Sequence, residues 1–303
     1  MALRDEPEVP TSSMPEPVAR SADVIVLPGA KSSQGIARGA GDTFYCGDLF
    51  LGNIYRGDLR RRTAELFIKV PVGRLAMGLW ADLRHGWLFV GGGLGWAYVY
   101  DLESGATVAT YQLGKVDDLA STVVNKVFVT AKGAYFSDSS AGVLYFVPIT
   151  PAGELGPAST LPVTGPAAEI SGEFNLNGII APDAGAPLIV SHTANGKLYT
   201  VDPETGNSRT IEGVDVPKAD GLVLDGPRLW VVQNRVNRVS RVLLSPDWTT
   251  GKVERVITHD AFQFPATAIA FEDQLAVINA KSDTAETGLP PTADEYEVVF
   301  VGR

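Results

Sequence analysis

The sequence predicts an all-β fold, a six-bladed β-propeller with four-stranded antiparallel blades around a central channel. Three observations predict it. A short apolar strand pattern restarts six times, just after Gln34, Met77, Asn125, Asn177, Asp220 and Ala266. The residues that open the restarts, Gly35, Gly78, Lys126, Gly178, Gly221 and Thr267, lie 43, 48, 52, 43 and 46 residues apart. These lengths suit one four-stranded blade and exceed a leucine-rich or ankyrin unit. Long 3.6-period apolar patterns are missing, which leaves almost no helix to place. A β-sandwich also strings strands at short intervals, but regular repetition over nearly the whole chain favours radial closure, which leaves only short protected edges.

The elements follow in order. The first unit runs Gly35-Ile-Ala-Arg, a stronger strand from Phe44, and Asn53-Ile-Tyr-Arg. The second carries Trp87-Leu-Phe-Val and Ala97-Tyr-Val-Tyr, and the third Ala134-Tyr-Phe-Ser and Val143-Leu-Tyr-Phe. The fourth has a run from Pro187 and then Lys197-Leu-Tyr-Thr. Gly221-Leu-Val-Leu, Leu229-Trp-Val-Val and Val239-Ser-Arg-Val form the fifth, and a run from Ala276 belongs to the sixth. Asp101-Leu-Glu-Ser-Gly and Asp202-Pro-Glu-Thr-Gly are turn signals for tight strand connections. Ring closure calls for a strand from one terminus in the other terminus's blade. Ala22-Asp-Val-Ile-Val-Leu and Tyr296-Glu-Val-Val-Phe-Val are the expected pair.

One domain, residues 22–303, accounts for the repeat. Residues 1–21, with Pro10, Pro15 and Pro17, read as a loosely held arm. That arm lacks the basic start and apolar core of a secretory signal, and no stretch is long and apolar enough to cross a bilayer, so a cytoplasmic location and no membrane partner are expected. The single cysteine, Cys46, excludes an intrachain disulfide and reads as a buried structural thiol in a reducing compartment. A net charge of −10 and a pI near 4.8 oppose a nucleic-acid partner. Arg60-Arg61-Arg62 reads as a solvated loop. His85, His192 and His259 are too far apart for zinc-ligand spacing, and Gly91-Gly-Gly opens no helix and so no phosphate loop.

In a propeller the six residues Gln34, Met77, Asn125, Asn177, Asp220 and Ala266 converge on the channel. Three carry amides and one a carboxylate, so function is to be sought there. Asn175 is expected to line the same channel, with Met77 and Ala266 as apolar wall. His192 ends a second strand, where it reaches the channel mouth as an acid or base or serves as a hydrogen-bonded turn residue. Asp138 and Asp48 end second strands too, and either contact the channel or cap turns.

Several motifs carry a family resemblance: Gln34-Gly-Ile-Ala, Gly41-Asp-Thr-Phe-Tyr with Ile54-Tyr-Arg-Gly-Asp-Leu, Asn175-Leu-Asn-Gly-Ile, Leu198-Tyr-Thr-Val-Asp-Pro, Ala219-Asp-Gly-Leu with Leu229-Trp-Val-Val-Gln-Asn, Phe264-Pro-Ala-Thr and Ala276-Val-Ile-Asn-Ala-Lys. In this order they resemble the senescence marker protein, gluconolactonase and luciferin-regenerating enzyme family, in a superfamily that includes diisopropyl fluorophosphatase, paraoxonase and strictosidine synthase. The resemblance implies a channel cation, commonly calcium, held by a Glu, two Asn and an Asp. Asn125, Asn177 and Asp220 match three of those metal positions; Gln34 stands where the family has the Glu, and Lys126 follows Asn125 where the family usually has Asp.

Calcium is held chiefly by carboxylate oxygen. Gln34 removes one of two ligand charges, and Lys126, if turned inward, opposes the metal; if Lys126 turns to solvent, a weakened calcium site survives. Without a metal, Gln34 and Asn177 would orient or polarise a carbonyl, with Asn125 beside them. Asp220 would act as general base or acceptor, and Lys126 would stabilise an enolate or another oxyanion. Three functions follow: a metal-independent enzyme that cyclises or rearranges a polyketide-like small molecule, which needs no cofactor; a calcium-dependent hydrolase of a lactone or ester, as the resemblance implies; and a non-catalytic binding propeller. The oligomeric state is left open.

Overall fold

The computed structural model describes residues 23–116, 118, 120–182, 186–283 and 292–303. The expected arm, residues 1–21, lies outside them. Alternating apolar residues and β-branched or aromatic side chains give 24 strands among the described residues, most often six residues long. Inner strands such as Gly133–Asp138 and Leu176–Ile180 are buried throughout, and outer ones such as Thr107–Gln112 are largely exposed. Blade 1 is β2 (Ile36–Arg38), β3 (Thr43–Gly47), β4 (Ile54–Asp58) and β5 (Thr63–Ile68). Blade 2 is β6 (Leu79–Asp82), β7 (Trp87–Gly91), β8 (Trp96–Asp101) and β9 (Thr107–Gln112). Blade 3 is β10 (Val124–Val129), β11 (Gly133–Asp138), β12 (Val143–Pro148) and β13 (Ser159–Pro162). Blade 4 is β14 (Leu176–Ile180), β15 (Leu188–His192), β16 (Lys197–Val201) and β17 (Ser208–Thr210). Blade 5 is β18 (Ala219–Asp225), β19 (Arg228–Gln233), β20 (Arg238–Leu244) and β21 (Gly251–Ile257). Blade 6 joins β22 (Pro265–Phe271), β23 (Gln274–Asn279) and β24 (Glu297–Gly302) to β1 (Val24–Val26), so the expected closure is present. Its register pairs Val24 with Val299 and Val26 with Glu297. Two single-turn 3-10 helices, Pro166–Ala168 and Asn234–Val236, are the helices of the described residues.

The core is six wedges, one between each pair of neighbouring blades. Period-two alternation fills them: on β3, Phe44 and Cys46 pack toward blade 6 while Tyr45 packs toward blade 2. On β19, Leu229 and Val231 face blade 4, and Trp230 and Val232 face blade 6. Cys46 is fully buried and its thiol pKa is pushed up by that burial, which makes it the inert structural thiol expected. The two predicted turns are alike. Asp101 Oδ1 accepts from the backbone of Glu103 and Ser104, Asp202 Oδ1 from Glu204 and Thr205, and Gly105 and Gly206 follow at φ 73° and 75°. The basic loop is less free than expected, because Arg60 pairs with both Asp42 and Glu272 and so ties blade 1 to blade 6.

Inner strands approach one another closely, which explains the glycines that open most restarts. A Cβ at Gly35 would lie 2.3 Å from the Met77 carbonyl oxygen, and one at Gly178 2.3 Å from that of Asp220. Lys126 is therefore an exception whose side chain needs a place to go.

Candidate functional site: the central channel

The channel chemistry is concentrated in three β-bulges. Val124 pairs with Asp138 and Val127 with Phe136, so Asn125 and Lys126 together oppose the single residue Ser137. Likewise Asn177 and Gly178 oppose Ser191, and Asp220 and Gly221 oppose Val232. A bulge breaks strict alternation and re-aims side chains. Two consecutive residues, Asn125 and Lys126, consequently both turn inward.

Hydroxyls secure the bulges. Ser137 Oγ accepts from the Lys126 N–H at 3.1 Å and donates to the Asn177 carbonyl at 2.6 Å. Ser191 Oγ does the same between the Gly178 N–H, 2.8 Å, and the Asp220 carbonyl, 2.7 Å. A second pair sets the amides. Ser139 Oγ donates to the Leu176 carbonyl at 2.6 Å, so its proton is committed and it accepts from Asn125 Nδ2 at 2.9 Å. Thr193 Oγ1 donates to the Ala219 carbonyl at 2.6 Å and accepts from Asn177 Nδ2 at 3.0 Å. This fixes which way both amides face, since only their N–H₂ groups can serve those acceptors. The oxygens Asn125 Oδ1 and Asn177 Oδ1 are buried and receive no hydrogen bond from any described residue. The expectation that Asn177 polarises a carbonyl is thereby corrected: it offers an acceptor, and an acceptor repels a carbonyl oxygen.

Lys126 reaches across to Asp220, with Nζ 3.0 Å from Oδ1 and both side chains under a tenth exposed. Burial raises the Asp220 pKa from its ordinary 3.8, and the Lys126 charge and hydrogen bond oppose the rise. The pair divides the channel. Above it lies a cavity of about 310 Å³ lined by Gln34, Met77, Asn125, Asn177, Thr193 and Asp220, with Leu49 and Phe174 at its wall. Below it lies one of about 250 Å³ that includes Lys126 and is otherwise mostly apolar, with Leu79, Trp80, Ile180, Leu222 and Ile269.

Gln34, Met77, Asn125, Asn177 and Asp220 are thus brought together, and Lys126 joins them. Five other expected residues are not. Ala266 is fully buried in the wedge between blades 6 and 1, because the bulge after Pro265 brings Thr267 to the lower cavity instead. Asn175 braces a loop: its Oδ1 accepts from the backbone of Ser171 and Gly172, and its Nδ2 donates to the Ser139 and Gly172 carbonyls. Asp138 caps a turn, accepting from the Val123, Ser140 and Ala141 N–H groups and from Tyr145 Oη. His192 is fully buried, its Nε2 2.8 Å from the Glu169 carbonyl oxygen, and desolvation lowers its pKa. Asp48 likewise binds the backbone of Lys31, Phe50 and Leu51. Asp138, His192 and Asp48 lie at the ends of second strands, and there the repeat places residues that hold loops. Ser137, Ser139, Ser191 and Thr193 were missed, although a signal exists: Ser137-Asp-Ser and Ser191-His-Thr repeat a hydroxyl-x-hydroxyl pattern at one blade position.

The donor set does not fit the calcium that the resemblance implies. Of the four positions that match the family's metal ligands, Asp220 alone is a carboxylate, and an ammonium already neutralises it; Glu173, which also lines the cavity, is outside that set. Calcium accepts amide oxygens such as Asn125 Oδ1 and Asn177 Oδ1, but its affinity follows the charge its ligands carry, and here that charge is already met. Among the described residues no group of three or more His, Cys, Asp or Glu is placed to hold a metal.

No family model matches the chain, and no curated protein matches it. Solved structures do. The Malassezia sympodialis allergen Mala s 1 shares 12% identity over 93% of this chain and 96% of that one, at TM-score 0.64. Virginiamycin B lyase of Staphylococcus aureus shares 12% over 85% and 80%, at 0.58. A Lactobacillus plantarum protein shares 16% over 89% and 88%, at 0.59. At such identities the likeness establishes the propeller fold and nothing finer. No described helix is long and apolar enough to cross a membrane.

Proposed function

We propose that the chain is a small-molecule-transforming enzyme whose active site is the upper channel, and that it rearranges or cyclises a carbonyl-bearing organic compound without a metal. The observation that carries this is the buried Lys126–Asp220 pair, 3.0 Å apart at the channel waist. Burying two charges costs several kcal/mol per ion before pairing, and a carboxylate with a raised pKa beside a cavity suits a general base. Asp220 lines the upper cavity, and its carboxylate accepts a proton from carbon next to the substrate carbonyl. The C–H electron pair moves onto the carbonyl oxygen, to which the Gln34 N–H₂ of the same cavity donates, while the Lys126 ammonium on the far side of Asp220 keeps that carboxylate charged and ready to take the proton. The enolate carbon then adds to a second carbonyl carbon of the same molecule, whose π pair moves to its oxygen and takes the proton back from Asp220, or the proton returns from Asp220 to another carbon. Atoms balance within the substrate and Asp220.

A cycloaddition or rearrangement in secondary metabolism is the setting we assign to this chemistry. A lyase acting on an antibiotic has the same fold: one virginiamycin B lyase structure is a catalytically inactive histidine-to-alanine variant with Quinupristin. Here no histidine lines the channel among the described residues. The family resemblance through the gluconolactonase motifs leads to the alternative, a calcium-dependent lactonase, which the single neutralised carboxylate disfavours. The test is solvent deuterium exchange, followed by proton NMR, on a panel of ketones and 1,3-dicarbonyl compounds with excess chelator. Exchange by the wild type and its loss in Asp220→Asn are expected; exchange that needs added calcium, or that survives Asp220→Asn, contradicts the reading.

A further inference from the structure

We infer that the upper channel anchors its ligand through a neutral group that carries both N–H or O–H donors and a carbonyl acceptor, of the primary carboxamide type, on an apolar body. This rests on the functional reading above and adds the chemical class of ligand. Asn125 is 1% exposed and Asn177 4% exposed, and both present a partnerless carbonyl oxygen to the cavity. A buried acceptor left unmet costs free energy comparable to a lost hydrogen bond, so the ligand that satisfies both oxygens gains that amount relative to one that satisfies neither. The hydroxyl relays through Ser139 and Thr193 prevent either amide from turning to offer its N–H₂ instead. The ring therefore selects donors at two points.

Beside them in the same cavity stands Gln34, whose amide N–H₂ is a donor that asks for an acceptor. Two acceptors and a neighbouring amide donor are the complement of a carboxamide, whose N–H₂ meets the asparagines and whose C=O meets Gln34. Charge decides against an ammonium ligand. Lys126 already neutralises Asp220, and Lys218 and Arg235 line the cavity against one further carboxylate, Glu173, so a cationic ligand would add to an excess of positive charge. Leu49, Met77 and Phe174 supply wall for the apolar body. The two asparagines become specificity-determining residues, and Ser139 and Thr193 their positioning residues.

Four probes with one six-carbon body separate these terms: hexanamide, N,N-dimethylhexanamide, hexanoate and hexylammonium, titrated by ligand-observed NMR. Hexanamide is expected to bind about tenfold or more tightly than each of the others, the ratio that one missing hydrogen bond to a buried group commands. Asn177→Leu should abolish the preference for hexanamide over its dimethyl form. Asn177→Asp, nearly isosteric and so the safer fold, should bring hexylammonium to the front by adding a negative charge. Equal binding of hexanamide and N,N-dimethylhexanamide overturns the inference, as does an unchanged order of probes in Asn177→Asp or the absence of binding by all four. The readout is binding alone. A chain that prefers hexanamide yet catalyses no deuterium exchange defeats the functional reading and leaves this one standing.

Discussion

Blades 3 to 5 and blades 6, 1 and 2 follow one backbone plan and place opposite chemistries at the channel. The first half presents Asn125, Lys126, Asn177 and Asp220, and the second presents Gln34 and Met77 while Ala266 withdraws into the core. The cause lies one strand away. Where the second strand ends Ser137-Asp-Ser or Ser191-His-Thr, hydroxyls satisfy the bulge and aim the amides of blades 3 and 4. In blade 2 the corresponding segment is Gly91-Gly-Gly, which has no side chain to give. A propeller repeats its scaffold; in blades 3 and 4 its chemistry enters through hydroxyls that anchor polar residues, while Asp220 of blade 5, opposite Val232, is held by Lys126.

That contrast can be broken by substitution. The largest effect is expected on turnover: Asp220→Asn and Lys126→Met should each lower the deuterium-exchange rate roughly 100- to 10,000-fold, the range for a removed acid or base, while Met77→Leu should change it less than tenfold. Equal losses in both halves would dissolve the comparison. Stability comes next. Lys126→Met leaves a buried carboxylate unpaired and should cost about 3–5 kcal/mol in urea unfolding, whereas adding Asp220→Leu should recover most of it, because an apolar pair replaces a buried ion pair at little cost.

Ser139→Ala should cost about 1–3 kcal/mol by stranding Asn125 Nδ2 and the Leu176 carbonyl. It should also weaken the preference for donor-bearing probes, which a purely structural role would not touch. The smallest effect is on the pH profile. Asp220 must be ionised to act, so the rate should fall as pH drops through a pKa above 3.8. The sign for stability is opposite. A carboxyl whose folded pKa is raised contributes stability below its unfolded pKa and loses it as pH rises through the folded one. Asp220→Asn should flatten that part of the stability curve.

Blade count, strand order, ring closure and the buried Cys46 were legible in the chain because period-two patterns and turn signals act locally. The convergence of Gln34, Asn125, Asn177 and Asp220 was legible from the repeat. The direction of Lys126 was not, since in regular alternation it points away from Asn125 and only the bulge turns it inward. The facing of the amides was hidden too, because it depends on hydroxyl groups on the next strand and on carbonyls of the next blade. Asn175, Asp138 and His192 were placed in the site by residue type, whereas their blade position makes them holders of loops.

The central claim is that the Lys126 ammonium has taken over the charge that a cation would bring to Asp220. Calcium titration by calorimetry tests it most directly, comparing the wild type with the double variant Gln34→Glu/Lys126→Asp, which restores the acidic residues of the resembling family. No calcium binding by the wild type at millimolar concentration, and clear binding by the variant, is the predicted result. Micromolar calcium binding by the wild type would contradict it.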